Sequence, residues 1–309
     1  VFSVGGFSVG RLELTDGGQA LFLEGAAGKE KINLRLMLSG VQLDPLFSLL
    51  NPSFQGLAAE VNGGVELLGS RHAPVIRAKA AFKDVRLGKR TYGTLNVGMA
   101  YENNLATLDA SWPSQKTRVM VWQPVGVSLA QGVRVRLQKG RRLEARSDGL
   151  ALGLLEPFVG SMLSSIAGVA QFQVVVVGGG TDEKSINGSF AIQDGYVRME
   201  KLGTEAIFEA FQVHFLGTRA RVSIKAHDVD GGRVALSGTF GLQGLQAEGL
   251  DLRLSARTFS LARVPSYQIK ADASLALQGA LRSPSLSGEV VFRKSLLNPD
   301  LGILSKKGI

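Results

Sequence analysis

The chain has 309 residues, 45% of them hydrophobic, with a mean hydropathy of +0.13, so there is ample apolar material to bury. It carries 35 Lys and Arg against 26 Asp and Glu, a formal net charge of +9, and no Cys, which excludes a disulfide framework and a Cys-ligated metal. Its 39 glycines, about one residue in eight against roughly 7% in an average protein, mark turns and close backbone approaches in a β-rich chain.

The first residues, Val1-Phe2-Ser3-Val4, already read as strand and no initiator Met precedes them, so the chain is expected to be a fragment of a longer protein with any membrane anchor outside it. No run of 18 apolar residues follows, so no segment is expected to span a bilayer as a helix. Period-two alternation dominates from there on. It is plain in Leu95-Asn96-Val97-Gly98-Met99, in Val133-Arg134-Val135-Arg136-Leu137-Gln138 and in Arg219 to Ala226, where even positions are apolar and odd ones polar. Leu250 to Ser255 and Ser274 to Gln278 behave likewise. Each such strand has one dry and one wet face, as in antiparallel sheet with one side in water. Turn signals separate the strands at Asp16-Gly17-Gly18, Glu102-Asn103-Asn104, Asp148-Gly149, Asp194-Gly195 and Asp230-Gly231-Gly232. Two short helices are expected. One runs from Asp44 to Leu50, opened by Asp-Pro; the other runs from Leu154 to Ala167, opened by Glu156-Pro157 and closed by Gly168.

The chain repeats itself. A glycine, then Pro or Lys five residues on, then alternating apolar positions, occurs as Gly69, Pro74, Ile76, Ala78, Ala80, Phe82; as Gly179, Lys184, Ile186, Gly188, Phe190, Ile192; and as Gly279, Pro284, Leu286, Gly288, Val290, Phe292. The internal spacing is the same in residues 69–82, 179–192 and 279–292, with a period of about 100 residues. No linker divides the copies. The expectation is one continuous domain over residues 1–309: all-β, elongated and antiparallel, with a few short helices.

The positive charge is spread over alternate strand positions, at Arg134, Arg136, Arg219, Arg221, Lys225, Arg253 and Arg257, with a denser cluster at Lys139, Arg141, Arg142 and Arg146. Nucleic-acid binders gather charge on one face and interleave aromatics, so solvated strand faces explain this pattern better, with weak attraction to anionic lipid headgroups as a further consequence. The three His, at 72, 214 and 227, stand in no metal-binding spacing. His72 reads as a turn or surface residue and His214, inside an apolar strand, as a satisfied core histidine. Asp228-Val229-Asp230-Gly231-Gly232 lacks the later ligands of a calcium loop and reads as a β-turn. Gly178-Gly179-Gly180 lacks the Lys and helix of a phosphate loop, and no nucleophile elbow surrounds Ser164 or Ser165. No catalytic constellation emerges, so an enzyme is not expected, nor is a cofactor or a metal.

What remains is the dry face: Val65, Leu67, Ile76, Phe82, Leu95, Val97, Val175, Val177, Phe190, Ile192, Val222, Ile224, Leu252, Leu254, Leu275, Leu277 and Phe292. Periodicity allows two readings. Covered by a second layer, the face is an ordinary sandwich core; left open by a sheet that curls on itself, it is a trough with a binding role.

The segments VNGGVELLGSRHAPVIRAKAAFKDVRLG, GGRVALSGTFGLQGLQAEGLDLRLSAR and ADASLALQGALRSPSLSGEVVFRKSLLNPD resemble the C-terminal region of the TamB family, within the AsmA-like superfamily. The shared phrase is a strand ending in Gly, a turn with Pro, then apolar-x-Gly in the next strand, as in Leu277-Gln278-Gly279, Pro284 and Leu286-Ser287-Gly288. The resemblance implies a curled sheet, the β-taco, whose apolar groove carries phospholipid acyl chains across the periplasm between inner and outer membranes. It also implies an inner-membrane anchor, a role in outer-membrane biogenesis and an Omp85-type, TamA-like barrel as partner. A scaffold for outer-membrane or autotransporter protein assembly is the alternative. An adhesin solenoid is disfavoured, because the ~100-residue period exceeds the 20–30 residues typical of such repeats.

Overall fold

A computed structural model describes residues 2–3, 6–28, 30–43, 57–87, 90–130, 134–137, 142–156, 163–178, 184–243, 246–264 and 267–297. The strands are β1 (Phe2–Ser3), β2 (Gly6–Asp16), β3 (Gln19–Ala27), β4 (Ile32–Gln42), β5 (Leu57–Gly69), β6 (Pro74–Leu87), β7 (Arg90–Glu102), β8 (Leu105–Trp112), β9 (Thr117–Ser128), β10 (Arg134–Leu137) and β11 (Arg142–Ala151). They continue as β12 (Ser165–Gly178), β13 (Lys184–Met199), β14 (Thr204–Gly217), β15 (Arg219–His227), β16 (Arg233–Gln243), β17 (Gln246–Val264), β18 (Tyr267–Ala280) and β19 (Ser283–Leu297). The chain divides into two compact units, residues 1–150 with 175–180, and residues 151–174 with 181–309.

In the first unit each strand from β1 to β9 pairs antiparallel with the next, and β9 carries β10 against its C-terminal half and β11 against its N-terminal half. In the second unit β13 to β19 form the same sequential meander. The sheet is all antiparallel and does not close into a barrel. Strands joined by short turns neighbour one another, which is why the topology follows the sequence order. The sequence repeat is the hairpin itself: Gly69 pairs with Pro74 and Gly279 with Pro284, so each copy ends one strand and starts the next. The turn of the middle copy lies outside the described residues.

Glycine bends the second unit at regular intervals. Gly188, Gly238 and Gly288 recur every fifty residues with φ of 135°, 150° and 129°. A Cβ at each would strike the carbonyl oxygen of the neighbouring strand, at Gln173, Asp251 and Ser274 respectively. Only glycine allows that backbone angle together with that approach, and such kinks curve a sheet. The ~100-residue period of the sequence is thus twice the period of this device, because Gly238 repeats the kink without the Gly-x4-Pro turn.

Long strands also bend at bulges. Register shifts fall between Phe208 and Ala210, between Ala256 and Phe259, and between Ile269 and Ala271, with Thr258 at φ 50°. Beyond the short β15–β16 hairpin, the start of β14 and the end of β17 meet directly. Arg263 N donates to Leu202 O at 2.6 Å, and Thr204 Oγ1 donates to Leu261 O at 2.9 Å. Buried Phe259, Ala206 and Ala226 form the core under this closure, with Phe208, Val234 and Val197 packed on it.

Asp228 holds the hairpin tip. Its side chain is 1% exposed; Oδ1 accepts from the N–H groups of Asp230 (2.9 Å) and Gly232 (2.8 Å), and Oδ2 from that of Ser260 (2.7 Å). The carboxylate is fully engaged by backbone, so this segment is a β-turn. Around it Asp230 binds Lys270 Nζ at 2.8 Å and Arg263 at 3.2 Å, while Asp272 accepts from Thr258 N–H at 2.6 Å and from Arg293 at 2.7 Å.

The helix expected over Leu154 to Ala167 differs at its ends: a 3-10 turn spans Leu152–Leu155, Glu156 is helical, residues 157–162 lie outside the described residues, and β12 has begun by Ser165. Ile166 N–H donates to the Glu156 carboxylate. The helix over Asp44 to Leu50 lies outside the described residues. His214, expected in the core, is exposed on the polar face beside Ser189 and Arg221, since an apolar strand still sends alternate residues outward. His72 is exposed in a bend.

Asp228→Ala strands the buried N–H groups of Gly232 and Ser260, and each such loss costs about 1–3 kcal/mol. The expected outcome is a loss of at least about 2 kcal/mol in urea unfolding, against little change for exposed Asp251→Ala. A second outcome follows from the neighbouring carboxylates. The Lys270 ammonium, with Arg263, holds the Asp230 carboxyl below its usual range; the Thr258 N–H, with Arg293, does the same for Asp272. A carboxyl lowered in the folded state contributes stability that is complete above its unfolded value, about 3.9, and is lost as pH falls through the lower folded value. Thermal unfolding followed from pH 6 downward should therefore show these contributions constant above about pH 5 and lost below about pH 4, with a shallower acid loss in the Asp230→Asn/Asp272→Asn variant.

Candidate functional site

Residues directly opposite in an antiparallel ladder share a face. In the first unit the registers Leu23↔Leu36, Leu36↔Val65, Val65↔Ala78, Ala78↔Met99 and Met99↔Leu108 therefore draw one apolar row across six strands. A second row runs Leu34↔Leu67, Leu67↔Ile76 and Ile76↔Tyr101, and a third runs Val61↔Phe82 and Phe82↔Leu95. Val97, opposite Ala80 and Ala110, completes the set.

The second unit repeats the pattern. Phe211↔Ile224, Ile224↔Leu236, Leu236↔Leu254 and Leu254↔Leu275 form one row, which starts at Ile192 on β13. Phe190↔Val213, Val213↔Val222, Val222↔Gly238, Gly238↔Leu252, Leu252↔Leu277 and Leu277↔Leu286 form the next. Phe292, opposite Ala271, lies on the same face of β19. Phe190 sits between the rings of Phe172 (6.4 Å, stacked) and Phe211 (6.0 Å, edge-on).

The expected groove residues thus lie on these two apolar faces, with two exceptions on β12. Phe172 stacks on Phe190, so alternation sends Val174 and Val176 to the apolar side and Val175 and Val177 to the other. A run of four valines hides its period, and the aromatic contact was the missing signal. The expected groove residues also leave out Leu34, Leu36, Met99, Phe211, Leu236 and Phe240, of which Leu34 alternates plainly between Asn33 and Arg35.

Among the described residues the substantial strand contacts follow the ladder, apart from β14 with β17. Val61, Tyr101 and Val222 on these faces are buried. Val65, Met99, Leu108, Val290 and Phe292 are exposed, while most of the other apolar-face side chains are half-buried.

The opposite face is polar. In the first unit Glu24, Arg35, Glu66 and Arg77 stand opposite one another in alternating sign across β3 to β6, with Arg35 bound to Glu66 at 3.1 Å and to Glu24 at 3.4 Å. Arg118 forks onto Asp109 at 2.6 and 3.0 Å and holds that carboxyl below its usual range. Asn62, with Lys83, does the same for Glu60. The second unit carries Arg219, Arg221, Lys225, Arg233, Arg253 and Arg257 on its polar face, all exposed. Among the described residues no group of three or more His, Asp and Glu is placed to hold a metal ion.

Comparison with curated proteins gave no significant match, and comparison with solved structures gave none. Residues 221–300, from within β15 into the segment after β19, match the family model of the TamB C-terminal domain. That stretch covers about a quarter of the chain and contains the apolar rows of β15 to β19, the Asp228 hairpin tip and two of the three kinking glycines. Over residues 221–300 the chain is similar to the TamB C-terminal domain.

Proposed function

We propose that this chain is a lipid-conducting segment of a translocation and assembly module, and that acyl chains of phospholipid lie along its apolar faces. The observation that carries the reading is an apolar face several strands wide, from Ile192 to Leu275, continued to Val290 and Phe292, whose side chains are exposed. Transfer on such a face needs no bond making. Each CH2 taken from water contributes about 0.8 kcal/mol. A row of similar side chains keeps that contribution nearly constant from strand to strand, so a chain slides without a large barrier. The headgroup stays at the open edge, in water. The reading places the protein in the periplasm, as part of an inner-membrane-anchored protein supporting outer-membrane biogenesis, with a TamA-like barrel as partner and no enzymatic step. Among the described residues no helix is long and apolar enough to cross a membrane.

One observation favours the assembly reading as well. β19 is 15 residues long and pairs only with β18 among the described residues, and Leu286 and Phe292 on it are 64% and 63% exposed. A long apolar edge strand is a template for another strand. An unfolded outer-membrane segment added there is the scaffold alternative.

The two faces of β15 supply the test. Ile224→Asp sets an unpaired carboxylate on the apolar face, which an acyl chain cannot compensate; Ser223→Asp changes only the polar face. With a fluorescent phospholipid, Ile224→Asp should bind about tenfold more weakly or worse and Ser223→Asp about as well as the parent chain, both with unchanged circular dichroism. Equal binding by Ile224→Asp and the parent overturns the lipid reading. Phospholipid co-purifying with the parent chain in native mass spectrometry supports it.

A further inference from the structure

Both units carry paired and unpaired cations: Lys79, Arg134 and Arg136 of the first form no ion pair among the described residues, while Arg198 and Arg293 of the second do. In the first, Arg35, Arg77, Lys83 and Arg118 each meet a carboxylate on a neighbouring strand. In the second, Arg219, Arg221, Lys225, Arg233, Arg253 and Arg257 are exposed, and none forms an ion pair among the described residues. Arg233 stands directly opposite Arg257 in the ladder, an arrangement that like charges disfavour. Beside them, Lys225, Arg233, Ala235, Ser255 and Arg257 line a concavity of about 360 Å3, with the Glu209 carboxylate as its one acidic member.

The same end of the unit exposes apolar side chains. Val229 in the hairpin turn is 51% exposed, and Leu202 and Leu261, joined through the β14–β17 closure, are 39% and 40% exposed. Cations beside exposed aliphatic side chains, on a rigid turn, match the boundary between headgroups and acyl chains. The alternatives fit less well. The polar-face positions of β15, β16 and β17 carry no Phe, Tyr or Trp on which a nucleic-acid base could stack, and His227, opposite Arg233, pairs with the Glu209 carboxylate. A protein partner would use buried aromatic anchors, which this face also lacks.

We propose that the hairpin-tip end of the second unit docks on an anionic bilayer surface, Lys225, Arg233 and Arg257 seating headgroup phosphates while Leu202, Val229 and Leu261 enter the interface. This surface is separate from the apolar trough, so the two ideas fail independently.

The test is co-sedimentation of the whole chain with phosphatidylcholine vesicles, alone and with phosphatidylglycerol added. Binding should require the anionic lipid and should fall as ionic strength rises from about 0.01 M to about 0.15 M, where the screening length drops from about 30 to about 8 Å. Lys225→Gln/Arg233→Gln/Arg257→Gln should weaken it on the order of a hundredfold, roughly fivefold per cation. Arg35→Gln/Arg77→Gln/Arg118→Gln removes the same charge from the first unit and should leave binding within a few-fold of the parent. Val229→Ser/Leu261→Ser should weaken binding while leaving its salt dependence. Equal losses in the two triple variants would mean that net charge alone is read, and would overturn the proposal. So would binding of inorganic phosphate or of single-stranded DNA as tight as binding to the vesicles. Ile224→Asp should still dock, which separates failure of this surface from failure of the trough.

Discussion

The register of the antiparallel ladder is the constraint on which everything else rests. Side chains alternate with a period of two, so a slip of one residue in any strand would carry its whole apolar set to the polar side. Most proteins guard against such a slip with a second layer packed on the dry face. Here, among the described residues, the guard is chemical on both faces. Leucines meet leucines in rows on one side, and on the other Glu24, Arg35, Glu66 and Arg77 alternate in sign from strand to strand. A slipped strand would place Arg35 among leucines and leave Glu66 without its partner.

Much of this was legible in the sequence because alternation is a local signal. Val222 and Ile224 between Arg221, Ser223 and Lys225 declare both faces of β15 without any tertiary information. The hairpin positions were legible for the same reason: Gly69 with Pro74, and Gly279 with Pro284, are turn chemistry. Legibility ended where local signals were degenerate. In Val174 to Val177 every residue is apolar, so the period vanishes, and only the stacking of Phe172 on Phe190 fixes the parity. The segment after Leu154 looks like a helix start because Glu156-Pro157 suits a first turn. Glu156 is indeed helical, but its carboxylate also accepts from the Ile166 N–H at the beginning of β12, and Ser165 to Ala167, expected in the helix, are strand.

Features that depend on a neighbouring strand were hidden in principle. Gly238 is an ordinary strand glycine in the sequence; it becomes a kink only because the Asp251 carbonyl lies where its Cβ would be. Asp228 resembles half of a cation loop until Ser260, thirty-two residues on, brings its N–H to the second carboxylate oxygen. The meeting of Leu202 with Arg263 likewise follows from strand lengths and bulges, since β14 and β17 outrun the hairpin between them.

A broad apolar face has a thermodynamic consequence wherever no second layer covers it. A sheet with one face unpartnered forgoes the burial that a second layer would add, at about 25 cal/mol per Å2 of apolar surface. The fold must then rest on its ladder hydrogen bonds, on its cross-strand pairs and on local cores such as that of Phe259, Ala206 and Ala226. The apolar side chains that stay exposed, such as Val290 and Phe292, match an acyl chain in chemistry. A ligand that binds only the folded sheet stabilises it in proportion to the logarithm of its concentration over its dissociation constant. On this view the lipid is the absent half of the core. Under the proposed function, stability and transport would rest on the same surface, which must be apolar enough to hold a chain and uniform enough to let it pass.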